Sequence, residues 1–551
     1  MRLRGSATAR SSSVGSARRP DRTGSTGVGI FGPMRRALNA MLVVFVFAAA
    51  CTDDGVLRSE VDTSSTSSVD TTEASSDEVA IPTTAAPEPS DEAGGVSSTT
   101  GLPTTVPEAA RLPAGAGADG VGDPYYPELG NGGYDVQSYD IAMTVDVVTD
   151  VVDAVVTIDA VALQPLTAFN LDFEGFEVTA ISVDGRAAEV LRAGAEMTVV
   201  PDTTIEQAAR FVTAVSYTGV PTRIASEAWG DGVGWIDAGD YSYVVSEPSG
   251  AHGFMPANDH PSDKAFFRYE ITVPEGIEVI ANGVNTSTES GPDGVTWVYE
   301  LRDPMATYLA TIGIGDYVLE QQVREDGILL RDAYRPSMAD RARPFVDLHS
   351  EMIDVLSPLF GPYPFEAYGA LVVDDDFGGA LETQTISAFS AAIFSNPVLA
   401  ETVVVHELAH QWFGDALTPA TWNDIWLNEG FATYTEWLWR EATEPGFDID
   451  RYAEDLATRG GFAWGPPGDP GAARIFAPTV YQRGGLTLHA VRQTVGDGPF
   501  FDGLRLYVER HLHGIVSTAD FAQAMLDATG VDITALLDDW LYSEATPELP
   551  G

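Results

Sequence analysis

Residues 401–437 read ETVVVHELAHQWFGDALTPATWNDIWLNEGFATYTEW, and the 551-residue chain is organised around them. His406, Glu407 and His410 stand in the pattern H-E-x-x-H, and Glu429 follows His410 after eighteen residues. On a helix, positions i and i+4 lie one turn apart on one face, so both imidazoles can address a single ion. Zinc accepts neutral imidazole nitrogens and a carboxylate, and a catalytic site keeps its fourth position open. Glu429 is expected to supply the third ligand from a second helix, FATYTEWLW, packed against the first. Glu407 sits beside the first histidine but turns away from ligation, placed to take a proton from an attacking water. Val403, Val404, Leu408 and Phe413 are the candidate buried side of the first helix. One Zn2+ per chain and the hydrolysis of an amide bond are the chemistry this set supports. The bland alternative, a histidine pair on a solvated acidic helix, leaves the spacing and Glu429 unexplained.

HELAHQWFGD followed by WNDIWLNEGFATY resembles the gluzincin metallopeptidases, the family of aminopeptidase N and leukotriene hydrolase. The resemblance runs from about Tyr125 almost to the C-terminus. It implies an α+β multidomain fold, with a β-rich N-terminal domain and a thermolysin-like mixed α/β catalytic domain ending in helices. It also implies a zinc aminopeptidase whose partners are peptides with a free N-terminus.

Further site residues follow from the resemblance alone. Phe377–Thr385, FGGALETQT, is similar to the family's G-A-M-E-N motif, an edge strand that pairs with the substrate backbone. Gly379 and Ala380 fall on that strand, and Glu382 matches the glutamate that binds the substrate's α-ammonium. Leu381 replaces the motif's Met and Thr383 its Asn, which leaves the first side-chain pocket open. Thr479–Gly485, TVYQRGG, resembles the Y-E-K-G segment, whose tyrosine donates to the developing oxyanion; Tyr481 takes that role. Gln482-Arg483 in place of Glu-Lys keeps a cation and drops an acid. Counting back from Asp259 of NDHPSDKA, Glu247 occupies the position where relatives place a Glu or Gln that helps hold the amine. Without the resemblance, Glu247 reads as a surface carboxylate at a strand end.

The chain carries 30 Lys+Arg against 81 Asp+Glu, a net charge of −51. Residues 1–50 hold eight arginines and one aspartate, or +7, so the remainder stands at −58. Such a surface is unsuited to nucleic acid, whose phosphates need basic partners. Lys264 is the only lysine. Met34-Arg35-Arg36 precedes an apolar run, Ala37 to Ala50, of the length found in export signals and short of the roughly 20 residues of a membrane span. Small residues then lead to Cys51, the only cysteine, an arrangement that resembles a bacterial lipoprotein signal. Export and tethering to the outer face of the cell membrane through lipidated Cys51 are therefore expected, with plain secretion as the alternative. Met34 is a candidate initiator.

Four regions are expected. Residues 1–50 are an N-terminal extension and signal, and residues 51–122 a Ser/Thr/Pro/acidic tether too poor in apolar residues to repay ordering. Residues 123–320 are an all-β domain. Tyr139, Ile141, Met143 and Val145 alternate with polar residues, as do Val156 and Ile158, and Asp184-Gly185 is a hairpin signal. Residues 321–551 are the catalytic domain, closing in helices with Ser517 or Thr518 as a cap and Gly530 as a stop. His489 reads as a packing residue, and His511 and His513 face different ways. The family's larger members add a helical domain over the site; ending at Gly551 predicts a more open one. Three alternatives remain: a thermolysin-like endopeptidase indifferent to a free N-terminus, an epoxide hydrolase as in one branch of the family, and a surface-binding module on a dead peptidase fold.

Overall fold

The computed structural model describes residues 115–230, 232–459 and 465–550. The expected signal, Cys51 and the tether as far as residue 114 lie outside the described residues. Residues 115–122, which composition assigned to the tether, belong to the folded body. The Gly117 N–H donates to the Ala168 carbonyl at 3.0 Å, and the Gly132 N–H to the Ala118 carbonyl at 3.0 Å. A β-carbon at Gly117 would lie 2.3 Å from the Gly132 carbonyl oxygen, so the same glycine that signals a linker permits this close packing.

The first half is built of strands. Tyr134–Asp146 pairs antiparallel with Val151–Ala162 and parallel with Phe266–Val273, at the centre of an eight-stranded sheet. Its alternation is real: Tyr139, Ile141, Met143 and Val145 are buried, as are Val156 and Ile158 of the neighbouring strand. Asp184 and Gly185 turn at φ 50° and 73° between Glu177–Val183 and Arg186–Ala187, the two-residue hairpin expected. A three-stranded sheet (Phe169–Asp172, Glu196–Val200, Glu189–Ala193) accompanies it. A five-stranded sheet, ordered Glu278–Ala281, Ile312–Gly315, Ser242–Val245, Val233–Asp237 and Arg223–Ile224, carries Glu247 just past one strand end.

The second half begins with a mixed sheet, ordered Val318–Val323, Leu329–Tyr334, Ala370–Val372, Ser387–Phe389 and Ala380–Leu381. Val318–Val323 runs across the expected division at 320/321, so the change of sheet falls between Gly315 and Val318. Ala380–Leu381 pairs antiparallel with Ser387–Phe389 and is the last strand on its side. Helices follow: α1 (Ala339–Val346), α2 (His349–Phe360), α3 (Pro397–His410), α4 (Trp426–Thr443) and α5 (Ile449–Arg459). The chain closes with α6 (Pro478–Val495), α7 (Asp497–His511), α8 (Thr518–Thr529) and α9 (Thr534–Tyr542). Ser517 caps α8 in a capping box with Asp520, and Gly530 stops it at φ 73°.

The β half is tied to the loop after α3. The Tyr308 hydroxyl donates to the Gly414 carbonyl at 2.8 Å, and Lys264 Nζ to the Asp415 carbonyl at 2.7 Å. Asp123 Oδ2 accepts the Trp422 N–H at 2.8 Å while its Oδ1 accepts the N–H groups of Tyr125 and Tyr126. The single lysine, given no role by the sequence, thus braces the segment five residues beyond His410.

Candidate active site

Helix α3 starts where Asn396 caps the Val398 N–H at 3.0 Å and Pro397 takes the first position, and it runs as far as His410. Val403, Val404 and Leu408 are buried along it, and Phe413 just past its end, so the helix is held on both sides of the motif. His406 and His410 sit one turn apart, and α4 packs across them with Glu429 in its first turn.

The donor atoms converge. Glu429 Oε2 lies 3.2 Å from His406 Nε2 and 3.5 Å from His410 Nε2. Zinc bonds of about 2.0–2.2 Å in tetrahedral geometry separate ligand atoms by about 3.3–3.6 Å, so the triad fits the ion. The far ring nitrogens are committed: His406 Nδ1 donates to Glu436 Oε1 at 2.7 Å and His410 Nδ1 to the Phe413 carbonyl at 3.1 Å. Both Nε2 lone pairs are therefore presented inward. Glu382, Glu407 and His410 form a second close group, which shares His410 with the first and opens on the same cavity.

A cavity opens beside the triad, lined by Trp229, Glu247, Ala380, Leu381, Glu382, Glu407, Phe476 and Tyr481 with the ligands. Among the described residues, every site residue singled out from the sequence except Gly379 lines it. Gly379 lies one residue before the edge strand, where its carbonyl accepts the Ser390 N–H at 3.1 Å.

Glu247 and Glu382 are 2% and 3% exposed, and each keeps one carboxylate oxygen, Oε1, without a hydrogen-bond partner among the described residues. Burial, then the neighbouring Glu382, pushes Glu247 well above the usual carboxylate range; burial, then Glu429, raises Glu382 against the pull of His410. The Glu247 reading as a surface carboxylate is corrected: it does follow a strand, but inside the protein. Glu407 is lifted by burial to about 8, with the two histidines opposing. The Tyr481 ring stacks on His406 at 5.9 Å and 22°, and its hydroxyl hydrogen-bonds Glu429. Burial and surrounding carboxylates raise its pKa well above 10, so the hydroxyl keeps its proton.

Several supports were missed in the sequence. Glu436 stands seven residues after Glu429, two turns along one face of α4, a periodicity that could have found it. Gln411 follows the motif directly: its Nε2 donates to the Glu382 carbonyl at 2.9 Å and its Oε1 accepts the Thr385 N–H at 2.8 Å. Thr385 has φ 68°, and its hydroxyl accepts the Gly283 N–H at 2.8 Å and Arg331 Nη2 at 3.2 Å. Thr383, standing for the motif's Asn, donates to the Ile386 carbonyl and closes the turn. His489 is buried between Tyr434, 3.3 Å from its Nδ1, and Asp450, 3.4 Å from its Nε2, which makes it a packing residue.

An H-E-x-x-H helix, a glutamate from the next helix and an edge strand beside them define a gluzincin metallopeptidase centre. The profile of the "Peptidase family M1 domain" matches residues 346–462 and 467–540. The chain is 32% identical to the M1 zinc metallopeptidase of Deinococcus radiodurans, with a TM-score of 0.72, covering 78% of this chain and 99% of that one. A variant of the same protein, solved with a Tyr-Ser-Ala substrate, is 31% identical with a TM-score of 0.70, over 78% and 99%. Aminopeptidase N of Streptomyces lividans is 28% identical over 338 residues, 56% of this chain and 38% of its own length. Probable aminopeptidase 2 of Sulfurisphaera tokodaii is 25% identical over 335 residues, 56% and 42%. The chain spans about two fifths of the length of these two curated relatives. It belongs to peptidase family M1, whose metal is zinc.

Proposed function

We propose that this protein is a zinc-dependent aminopeptidase that removes N-terminal residues from peptides. The observation that carries the reading is the pair of buried, incompletely satisfied carboxylates, Glu247 and Glu382, in one cavity with the His406–His410–Glu429 triad. A buried carboxylate left unpaired is costly, and a substrate's α-ammonium supplies the missing donor and charge. Amine recognition this close to the ligands places the first peptide bond at the metal and makes chain ends the substrate. The peptide-bound Deinococcus relative supports the same reading.

His406, His410 and Glu429 would hold the zinc ion, which would supply Lewis-acid polarisation of the scissile carbonyl and a water made nucleophilic at neutral pH. Glu407 takes the attacking water's proton and returns it to the amide nitrogen as the C–N bond breaks. Tyr481 donates to the oxyanion, while Ala380 and Leu381 offer the sheet edge to the peptide backbone. We further propose export and tethering through a lipidated Cys51; mass spectrometry of the mature N-terminus tests it, and an unmodified Cys51 refutes it.

The test of the activity compares aminoacyl amides with their N-acetylated forms, using chelated, zinc-restored and Glu382→Ala protein. Cleavage of free substrates alone, lost on chelation and weakened by the substitution, is expected. Equal cleavage of both would make the protein an endopeptidase and void the roles of Glu382 and Glu247.

A further inference from the structure

Gln411 directly follows the ligand His410 and keeps a helical backbone at the end of α3, with φ −58° and ψ −30°. It is fully buried and does not line the cavity. Its side-chain amide is committed to one loop: Nε2 donates to the Glu382 carbonyl at 2.9 Å, and Oε1 accepts the Thr385 N–H at 2.8 Å. The amide thus spans residues 382–385, the segment that carries the carboxylate facing the substrate's amine. The other side of this loop is fastened to the β half. Asn282 Nδ2 donates to the Gln384 carbonyl at 2.8 Å, and the Gly283 N–H donates to the Thr385 hydroxyl at 2.8 Å. Thr385 sits in the left-handed region at φ 68°, so these partners, rather than local preference, hold the loop in shape.

We propose that Gln411 is a positioning residue that sets the distance between the metal ligands and Glu382, and so fixes which bond of the substrate lies at the metal. This rests on the aminopeptidase reading. A peptide end must meet two fixed points at once, its ammonium on Glu382 and its first carbonyl at the ion. A misplacement of about 1 Å between such points costs about 100-fold in rate. His410 and Gln411 are consecutive residues of one helical backbone, so a single side chain and one hydrogen bond connect the ligand to the Glu382 main chain. The chemistry of the link is exacting. A primary amide offers a donor and an acceptor side by side, matched here to a carbonyl and an N–H of the same loop. Methionine of similar length offers no donor and only a weak acceptor, and asparagine falls one methylene short. The clamps from Asn282 and Gly283 remain when the amide is lost, so the Glu382 end of the loop is released while the rest stays in place.

The test uses full-length zinc-loaded protein and two probes, leucine hydroxamate and 4-methylpentanehydroxamate, the same molecule without its α-amine. Both chelate the metal, and only the first engages Glu382. Calorimetry gives their affinities for wild type, Gln411→Met and the milder Gln411→Asn, and competition with a chelator gives the zinc affinity of each. Wild type is expected to prefer the amine-bearing probe by about tenfold or more. Gln411→Met should cut that preference by about tenfold while leaving zinc affinity and the binding of the amine-free probe essentially unchanged. Gln411→Asn should lose part of the preference, and it decides the matter in the same way where the Met variant does not fold. A preference that survives in the variants, or a loss shared equally by both probes, overturns the proposal, since a general structural defect weakens both. A wild type with no preference for the amine instead removes the aminopeptidase reading itself.

Discussion

Gly430 and Gly484 meet backbone to backbone where α4 crosses α6. A β-carbon on Gly430 would lie 2.9 Å from Gly484 Cα, and one on Gly484 would lie 2.8 Å from Gly430 Cα. Glu429 immediately precedes one glycine and Tyr481 stands one turn before the other, so this contact sets the approach of the hydroxyl to the third ligand. Gly484→Ala is expected to force the helices apart, at about 1–3 kcal/mol for overpacking against up to about 1 kcal/mol regained in helix propensity. Urea unfolding should show the net loss and kinetics a lower kcat; a variant unchanged in both would show that the helices have slack.

Glu436 orients His406 without touching the ion's position. Glu436→Gln is expected to weaken zinc binding by about 10–100-fold, since such partners fix tautomer and ring orientation. Competition with a chelator of known affinity measures it, and an unchanged zinc affinity would remove Glu436 from the site.

Tyr481→Phe deletes one hydroxyl from a packed ring. If that hydroxyl serves the oxyanion, kcat falls by about 10²–10³ while KM changes little. A fall in KM affinity with kcat preserved would move Tyr481 from the reaction to substrate binding.

His349, at the start of α2, is buried against Tyr368, its ring 4.6 Å away, and burial lowers its pKa to about 3. The folded state therefore binds fewer protons at this site than the unfolded chain. The stability it contributes is fully present above about 6.5 and is lost as pH falls toward 3. Its share of the slope approaches about 1.4 kcal/mol per pH unit across that window. Urea unfolding of His349→Gln from pH 7 to 4 should show a flatter decline than wild type; parallel curves would refute the assignment.

The metal ligands were legible because a helix converts sequence spacing into spatial spacing: His406 and His410 needed only the 3.6-residue period. Glu429 needed one more step, a second helix packed on the first. The strands of the β half were legible in the alternation of Tyr139, Ile141, Met143 and Val145. Glu382, Tyr481 and Glu247 became visible only through resemblance, because a carboxylate or a phenol carries no local signature of its role. The boundary at 122 was misread because Gly117 looks alike in a linker and in a close backbone contact.

By itself the sequence determined the metal-binding helix, the alternating strands, the helix stops and the acid-rich composition, all consequences of local periodicity and side-chain chemistry. Tertiary structure decided the rest. It buried Glu247 beside Glu382, laid Gly430 on Gly484, set Lys264 under the loop after His410, and tied Gln411 to Glu382. Those pairs are remote along the chain, and no local period encodes them. They exist because packing the sheets on the helices leaves one low-energy way to fill space and pair buried polar groups.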